Sequence, residues 1–144
     1  MIGFTGYLEV AAPPDVVFEL LADMAVLDRW NPNVTRSKMV SGSRLMPGAC
    51  FESVIRRGPI KMTARSELVS AEAGRRVEYT GSIGGFWSVD TLTFEPLDAG
   101  TRITFRNEST PPRWMRPLSP LLNLVFQRQA KRAVAGAKRY LAEN

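Results

Sequence analysis

At 144 residues, with 44% hydrophobic and 23% charged side chains, the chain is long enough to bury one continuous core, and its composition excludes a disordered segment or a fibrous repeat. It has no histidine and a single cysteine, Cys50, which excludes an intramolecular disulfide and a Cys/His metal cluster, and a reducing, cytoplasmic setting is expected. The net charge of +5 is uneven: residues 112–144 hold seven Lys/Arg and only Glu143, a bias that either attracts anionic lipid, nucleic acid or an acidic protein or is simply a solvated helix face.

The first segment, Met1 to Tyr7, lacks the basic start and long apolar run of a secretory signal and reads as part of a strand over residues 2–10. Ala11-Ala12-Pro13-Pro14-Asp15 then punctuates the pattern and starts a helix, since proline is tolerated in a first turn and Asp15 and Glu19 complement the positive end of the helix dipole. Val17, Phe18, Leu20, Leu21 and Met24 recur at helical spacing and predict one buried stripe up to about residue 23. A second short helix, Ala25 to Trp30, stops at Asn31-Pro32, because a residue before proline is pushed away from helical angles.

From Val34 to Ser109 the pattern becomes strand-length runs separated by Gly42-Ser43, Pro47-Gly48, Gly58-Pro59, Ala73-Gly74, Gly81 to Gly85 and Asp98-Ala99-Gly100. Such spacings leave room for hairpins and none for crossover helices, so an antiparallel meander of about seven strands, counting the first, is predicted. The Gly81 to Gly85 stretch leads into no helix and is read as a hairpin turn rather than a phosphate loop. Alternation puts Phe86, Ser88, Asp90, Leu92 and Phe94 on one face of their strand and Ile103, Phe105 and Asn107 on one face of the next; these faces are the more apolar and point to the core. After the irregular stretch Arg113 to Pro120, a long helix is predicted from about residue 120 to 142, with Leu122, Phe126, Gln129, Ala133, Ala137 and Leu141 as its inner stripe. Its small residues Ala130, Ala133, Gly136 and Ala137 either bring it close to the sheet or leave unfilled volume beneath it. No apolar run approaches the roughly 20 residues of a membrane-spanning helix.

The order strand, two short helices, six-stranded meander and long helix, together with Ala12 to Phe18, Leu27-Asp28-Arg29-Trp30-Asn31-Pro32, Arg75-Arg76-Val77-Glu78-Tyr79 and Phe94-Glu95-Pro96-Leu97, resembles the START-like, polyketide cyclase/dehydrase superfamily. The resemblance covers nearly all of residues 1–144 as a single domain. It implies an α+β helix-grip fold, in which a curved antiparallel sheet wraps a long C-terminal helix around a cavity for lipids, polyketides or other hydrophobic molecules. Some members are cyclases or dehydratases, but no catalytic set of theirs aligns onto this chain. The resemblance implies no cofactor and no metal. With no histidine, an enzyme here would lack the commonest base near neutral pH.

Under that resemblance Met62, Tyr79, Phe86, Phe105 and Phe126 line the cavity; the same residues would fill a solid core equally well. Trp30 is either a gate whose indole N–H donates to a ligand or a core anchor. Ser88, Asn107 and Gln129 either orient a ligand or satisfy one another and the backbone. Asp90 is the most informative residue, because an acid on an apolar face must be paired, protonated or wetted; it is an acid, base or anchor, or else a structural partner of an arginine or the product of a bulge that reverses parity. Asp90 and Tyr79 are the catalytic candidates of an alternative, cyclase- or dehydratase-like reading. The paired Arg56-Arg57 and Arg75-Arg76 lack interleaved aromatics, so no nucleic acid is expected. Trp114 to Leu118, followed by Leu121 to Phe126 and a basic helix, is either a lid over the cavity or a weak membrane-surface contact. The expected assembly is a monomer or homodimer holding a small hydrophobic molecule.

Overall fold

The computed structural model describes residues 2–57 and 59–144. Strand β1 spans Ile2–Val10, and Pro14, with Asp15 beside it, opens helix α1 at Pro14–Leu21. The helical stripe expected to reach residue 23 ends earlier, because Asp23 is extended and its carboxylate accepts the Ala25 N–H at 3.0 Å. An aspartate that caps the next turn cannot continue the previous one, so a 3-10 turn, Met24–Val26, and a single α turn, α2 at Leu27–Trp30, replace one second helix.

Six strands follow: β2 Val34–Ser41, β3 Cys50–Arg57, β4 Ile60–Glu72, β5 Arg76–Ile83, β6 Phe86–Leu97 and β7 Gly100–Thr110. All pair antiparallel in the order β1-β7-β6-β5-β4-β3-β2, so the meander continues from β2 to β7 and the first strand adds beside the last. The β5–β6 loop contracts to Gly84-Gly85, both at positive φ (53° and 84°), the requirement of a two-residue hairpin turn. Gly81, read as part of that turn, lies instead inside β5. The turn anticipated at Gly58-Pro59 involves Gly58, which, like Met1, is outside the described residues.

A register shift in β4 between Leu68 and Ser70 lets Leu68 and Ala71 both reach the interior. Strand β6 pairs with both neighbours without a shift, so the inward parity of Ser88, Asp90 and Leu92 holds. The irregular stretch before the last helix is a 3-10 helix, Arg113–Leu118, which leads directly into α3 at Ser119–Glu143.

The core lies toward the α1 end of the molecule. Val17, Phe18 and Leu21 of α1 pack on Leu68, Val77, Phe94 and Ile103 of the sheet and on Ala137 of α3, and the rings of Phe18 and Phe94 meet edge to face at 5.3 Å. Of the two alternatives posed by the small residues of α3, each applies to a different half. The C-terminal half makes the close approach: a Cβ on Gly136 would overlap the carbonyl oxygen of Trp30 and press on Pro32. The N-terminal half stands away from the sheet.

Gly136→Ala is therefore expected to destabilise the fold by about 1–3 kcal/mol through overpacking, even though alanine in an open helix would gain about 1 kcal/mol over glycine. The denaturant midpoint measures the sign, and an unchanged or raised midpoint would mean that the helix moves freely over α2.

Candidate functional site

The floor of the space under α3 is a patch of small side chains. Ser109, Ser88, Gly81 and Ser66 stand opposite one another across β7, β6, β5 and β4, and Ala64 pairs with Ser53 one row closer to the β3–β4 hairpin. A Cβ on Gly81 would press on the Arg65 carbonyl oxygen at 2.9 Å and approach the Ser66 and Ser88 hydroxyls, so even this position has no room to grow. Ala130 and Ala133 of α3 face the floor from above. Small residues opposite small residues cannot meet, and a cavity of about 260 Å³ remains. A single water needs only about 10–15 Å³.

Larger residues close the cavity. Phe86 and Phe126 stack at 5.5 Å where β6 starts beneath the first turns of α3, and Trp30 leans on Phe105 at 6.1 Å on the other side. Tyr79 lines the wall with its ring edge to face against Phe51 at 5.6 Å. Its hydroxyl donates to the Ala22 carbonyl at 2.7 Å and accepts the Met24 N–H at 3.1 Å. It thus bridges the end of α1 to the following turn, and burial pushes its pKa well above the usual phenol range. A hydroxyl so engaged on both sides serves as a structural clamp.

Asp90 has a different setting. It stands between Tyr79 and Asn107 in one cross-strand row. Asn107 Nδ2 donates to its Oδ1 at 2.5 Å, and Ser109 Oγ donates in turn to Asn107 Oδ1 at 2.8 Å. The partner is a neutral amide rather than an arginine. Asp90 retains some accessible surface and is one of the residues that line the cavity. Burial raises its carboxyl pKa, and the Asn107 hydrogen bond opposes part of the rise. Two further polar atoms are buried without a hydrogen-bond partner among the described residues, Nε1 of Trp30 and Oγ of Ser53, and both side chains belong to the cavity wall. Each such orphan costs about 1–3 kcal/mol unless something else pairs with it.

The structure thus brings Trp30, Tyr79, Phe86, Ser88, Asp90, Phe105, Asn107, Phe126 and Gln129 to one cavity. Met62 is a correction: it shares the inward parity of Ala64 but sits near the end of its strand, where its methyl lies over Gly84 instead of in the wall. Sequence reasoning missed the residues that make the space, Ser53, Ala64, Ser66, Gly81 and Ser109. Their signal was present as small side chains in phase with Phe51, Leu68, Tyr79 and Phe105, but one strand at a time does not reveal that they align. Asn33, also missed, is buried and donates from Nδ2 to the Gln129 carbonyl at 2.8 Å, tying α3 to the segment after α2. Among the described residues no group of three Cys or carboxylate side chains gathers as a metal site. No helix among them is long and apolar enough to cross a membrane.

Residues 1–142 match the sequence profile of the family described as polyketide cyclase / dehydrase and lipid transport. The chain belongs to that family. Solved structures of the same fold include TTHA0849 from Thermus thermophilus, 20% identical over 99% of both chains with a TM-score of 0.81. The Zhui aromatase/cyclase from a Streptomyces species is 14% identical over 94% of this chain and 90% of its own, with a TM-score of 0.77. A START superfamily protein from Mycobacterium smegmatis is 11% identical over 99% of both, with a TM-score of 0.80. These likenesses establish the START-like helix-grip fold. No curated protein matches the chain.

Because the folded state holds the Asp90 proton more tightly than the unfolded chain, stability falls as pH rises from the ordinary carboxylate range through the folded-state pKa. Asp90→Asn removes that loss while keeping an acceptor for Asn107. The stability of the variant relative to the wild type is expected to increase as pH rises above the ordinary carboxylate range, by about 1.4 kcal/mol for each tenfold difference in proton affinity. Parallel melting curves across that range would instead mean that Asp90 is ionised and solvated in the fold.

Proposed function

We propose that the protein holds a small, mainly apolar molecule in the cavity between the sheet and α3, and that this molecule carries a polar group met by Asp90. The observation that carries the reading is the 260 Å³ space itself, which has aromatic ends, a small-residue floor and polar groups confined to a few positions. That distribution suits a ligand recognised by shape and oriented by a few hydrogen bonds. The volume is near the lower end of the roughly 300–1,000 Å³ usual for such sites, which favours a compact ring system or short chain over a long acyl lipid. Trp30, Phe86, Phe105 and Phe126 supply surface, and the Asp90–Asn107–Ser109 chain supplies direction, with Ser88 and Gln129 beside it. Tyr79 contributes its ring to the wall.

A second reading, a cofactor-independent cyclase or dehydratase, is favoured by one observation: an enclosed carboxyl with a raised pKa facing the cavity. Such a group holds a proton where a water-exposed aspartate would have lost it, and can deliver or remove one at a carbon chain folded against it. The Zhui protein is an aromatase/cyclase with this fold, which is consistent with that chemistry. Under this reading Asp90→Asn abolishes turnover of a candidate polyketide while its affinity survives, and retained turnover takes Asp90 out of the mechanism.

Ala133→Phe is expected to fill the cavity from above, lowering the affinity for anilinonaphthalene sulfonate by about tenfold or more, while thermal stability is kept or raised. Native mass spectrometry of the wild type would name the class of any copurifying molecule, which the variant should lack. Unchanged binding by the variant would place the ligand outside this space.

A further inference from the structure

The first turns of α3 are apolar on two sides. Phe126, Gln129, Ala130 and Ala133 face the cavity, while Leu121, Leu124 and Val125 stand outward, 60%, 52% and 40% exposed, at the spacing of one helical face that Arg128 continues. The preceding 3-10 helix adds Trp114 and Leu118, 75% and 46% exposed. Scattered exposed leucines are ordinary; a contiguous cluster headed by a tryptophan marks a surface that something covers. The cluster extends onto the sheet, since Pro112 packs beside Gly85, Met62 covers Gly84, and Ile60 projects from the β3–β4 hairpin.

Charge is sorted in the same direction. The segments that build this end, residues 53–66, 79–89 and 109–130, contain no carboxylate, whereas Lys61, Arg113, Arg116 and Arg128 are exposed on them. Four exposed acids, Asp15, Glu72, Asp98 and Glu143, belong to α1, the β4–β5 and β6–β7 turns and the end of α3, at the opposite end, while Asp28 of α2 and Glu52, Glu67 and Glu108 of the strands lie between the two ends.

We infer that the end of the molecule formed by the 3-10 helix, the first turns of α3 and the β3–β4 and β5–β6 hairpins docks on an anionic lipid bilayer. Trp114, Leu118 and Leu121 enter the boundary between headgroups and acyl chains, and the surrounding arginines and lysine pair with phosphates. A second copy of the chain fits this face poorly, because pairing it with itself sets cations against cations with no carboxylate between them. The Phe86–Phe126 pair lies directly under the patch, so docking brings that end of the cavity to the lipid.

The test is co-sedimentation with vesicles of phosphatidylcholine alone and of equimolar phosphatidylcholine and phosphatidylglycerol. Binding to the mixed vesicles alone is expected, weakening by about tenfold or more between about 0.05 M and about 0.5 M salt. Trp114→Glu with Leu121→Glu, both at exposed positions, and separately Arg113→Glu with Arg116→Glu, should each reduce that binding by about tenfold, with far-ultraviolet circular dichroism confirming the fold. Lys138→Glu with Arg139→Glu changes net charge as much as the arginine pair but lies toward the end of α3, and should leave binding within about twofold. No binding to mixed vesicles at low salt, or an equal loss in the Lys138/Arg139 variant, overturns the inference. So does a dimer that Leu121→Glu dissolves without any effect of lipid, which would assign the face to a second copy. None of these readouts depends on what fills the cavity.

Discussion

The contact on which the rest of the structure depends is the one between Gly136 and the backbone of Trp30. A helix is a stiff rod, so fixing one part of it sets the height of every other part above the sheet. Gly136 lets α3 come down onto α2 until no Cβ would fit, and Ala137 beside it is fully buried. The Asn33 side chain holds the same helix two turns earlier through the Gln129 carbonyl. With α3 pinned at these points, Ala130 and Ala133 cannot sink onto Ser66, Gly81, Ser88 and Ser109. The cavity is thus a consequence of where the helix is clamped.

The polar groups around this space divide by how completely they are satisfied. The Tyr79 hydroxyl has a donor and an acceptor on the main chain and is spent on holding α1 against the following turn. The Asn107 amide is engaged at both ends, donating to Asp90 and accepting from Ser109. Trp30 Nε1 and Ser53 Oγ are buried with no partner among the described residues, and Asp90 has the Asn107 amide. Of these three residues of the cavity wall, Asp90 carries the charge-bearing group, which is the physical basis for the proposal that it meets a ligand's polar group.

Charge and exposed apolar surface follow the same long axis. Asp15, Glu19, Glu72 and Glu143 lie where α1, the β4–β5 turn and the end of α3 meet, next to the dense core. The cations without acidic neighbours in sequence gather with Trp114 and Leu121 around the cavity end. One end of the molecule is therefore built for stability, and the other combines the loosest packing of α3 with its most apolar surface.

The sequence by itself determined the seven antiparallel strands, the start of the first short helix, the long last helix and the inward parity of Ser88, Asp90, Phe105 and Asn107, because these depend on local periodicity and turn chemistry that each segment carries alone. It also pointed to Trp30, Phe86 and Phe126, whose bulk and phase suffice to place them inside. It did not determine that a cavity exists. That depended on register: only when β4 to β7 are aligned do Ser66, Gly81, Ser88 and Ser109 fall in one row, and only when Gly136 meets Trp30 is α3 held above them. Met62 was misplaced for the same reason, since its parity is correct and only the neighbouring hairpin turn takes it out of the wall. Tyr79 reads from sequence as a cavity-lining catalytic candidate, and tertiary contact with Ala22 and Met24 occupies its hydroxyl. Alternation along a strand is a local property, whereas the space between two elements depends on the side chains of both and on the distance at which a third contact holds them apart.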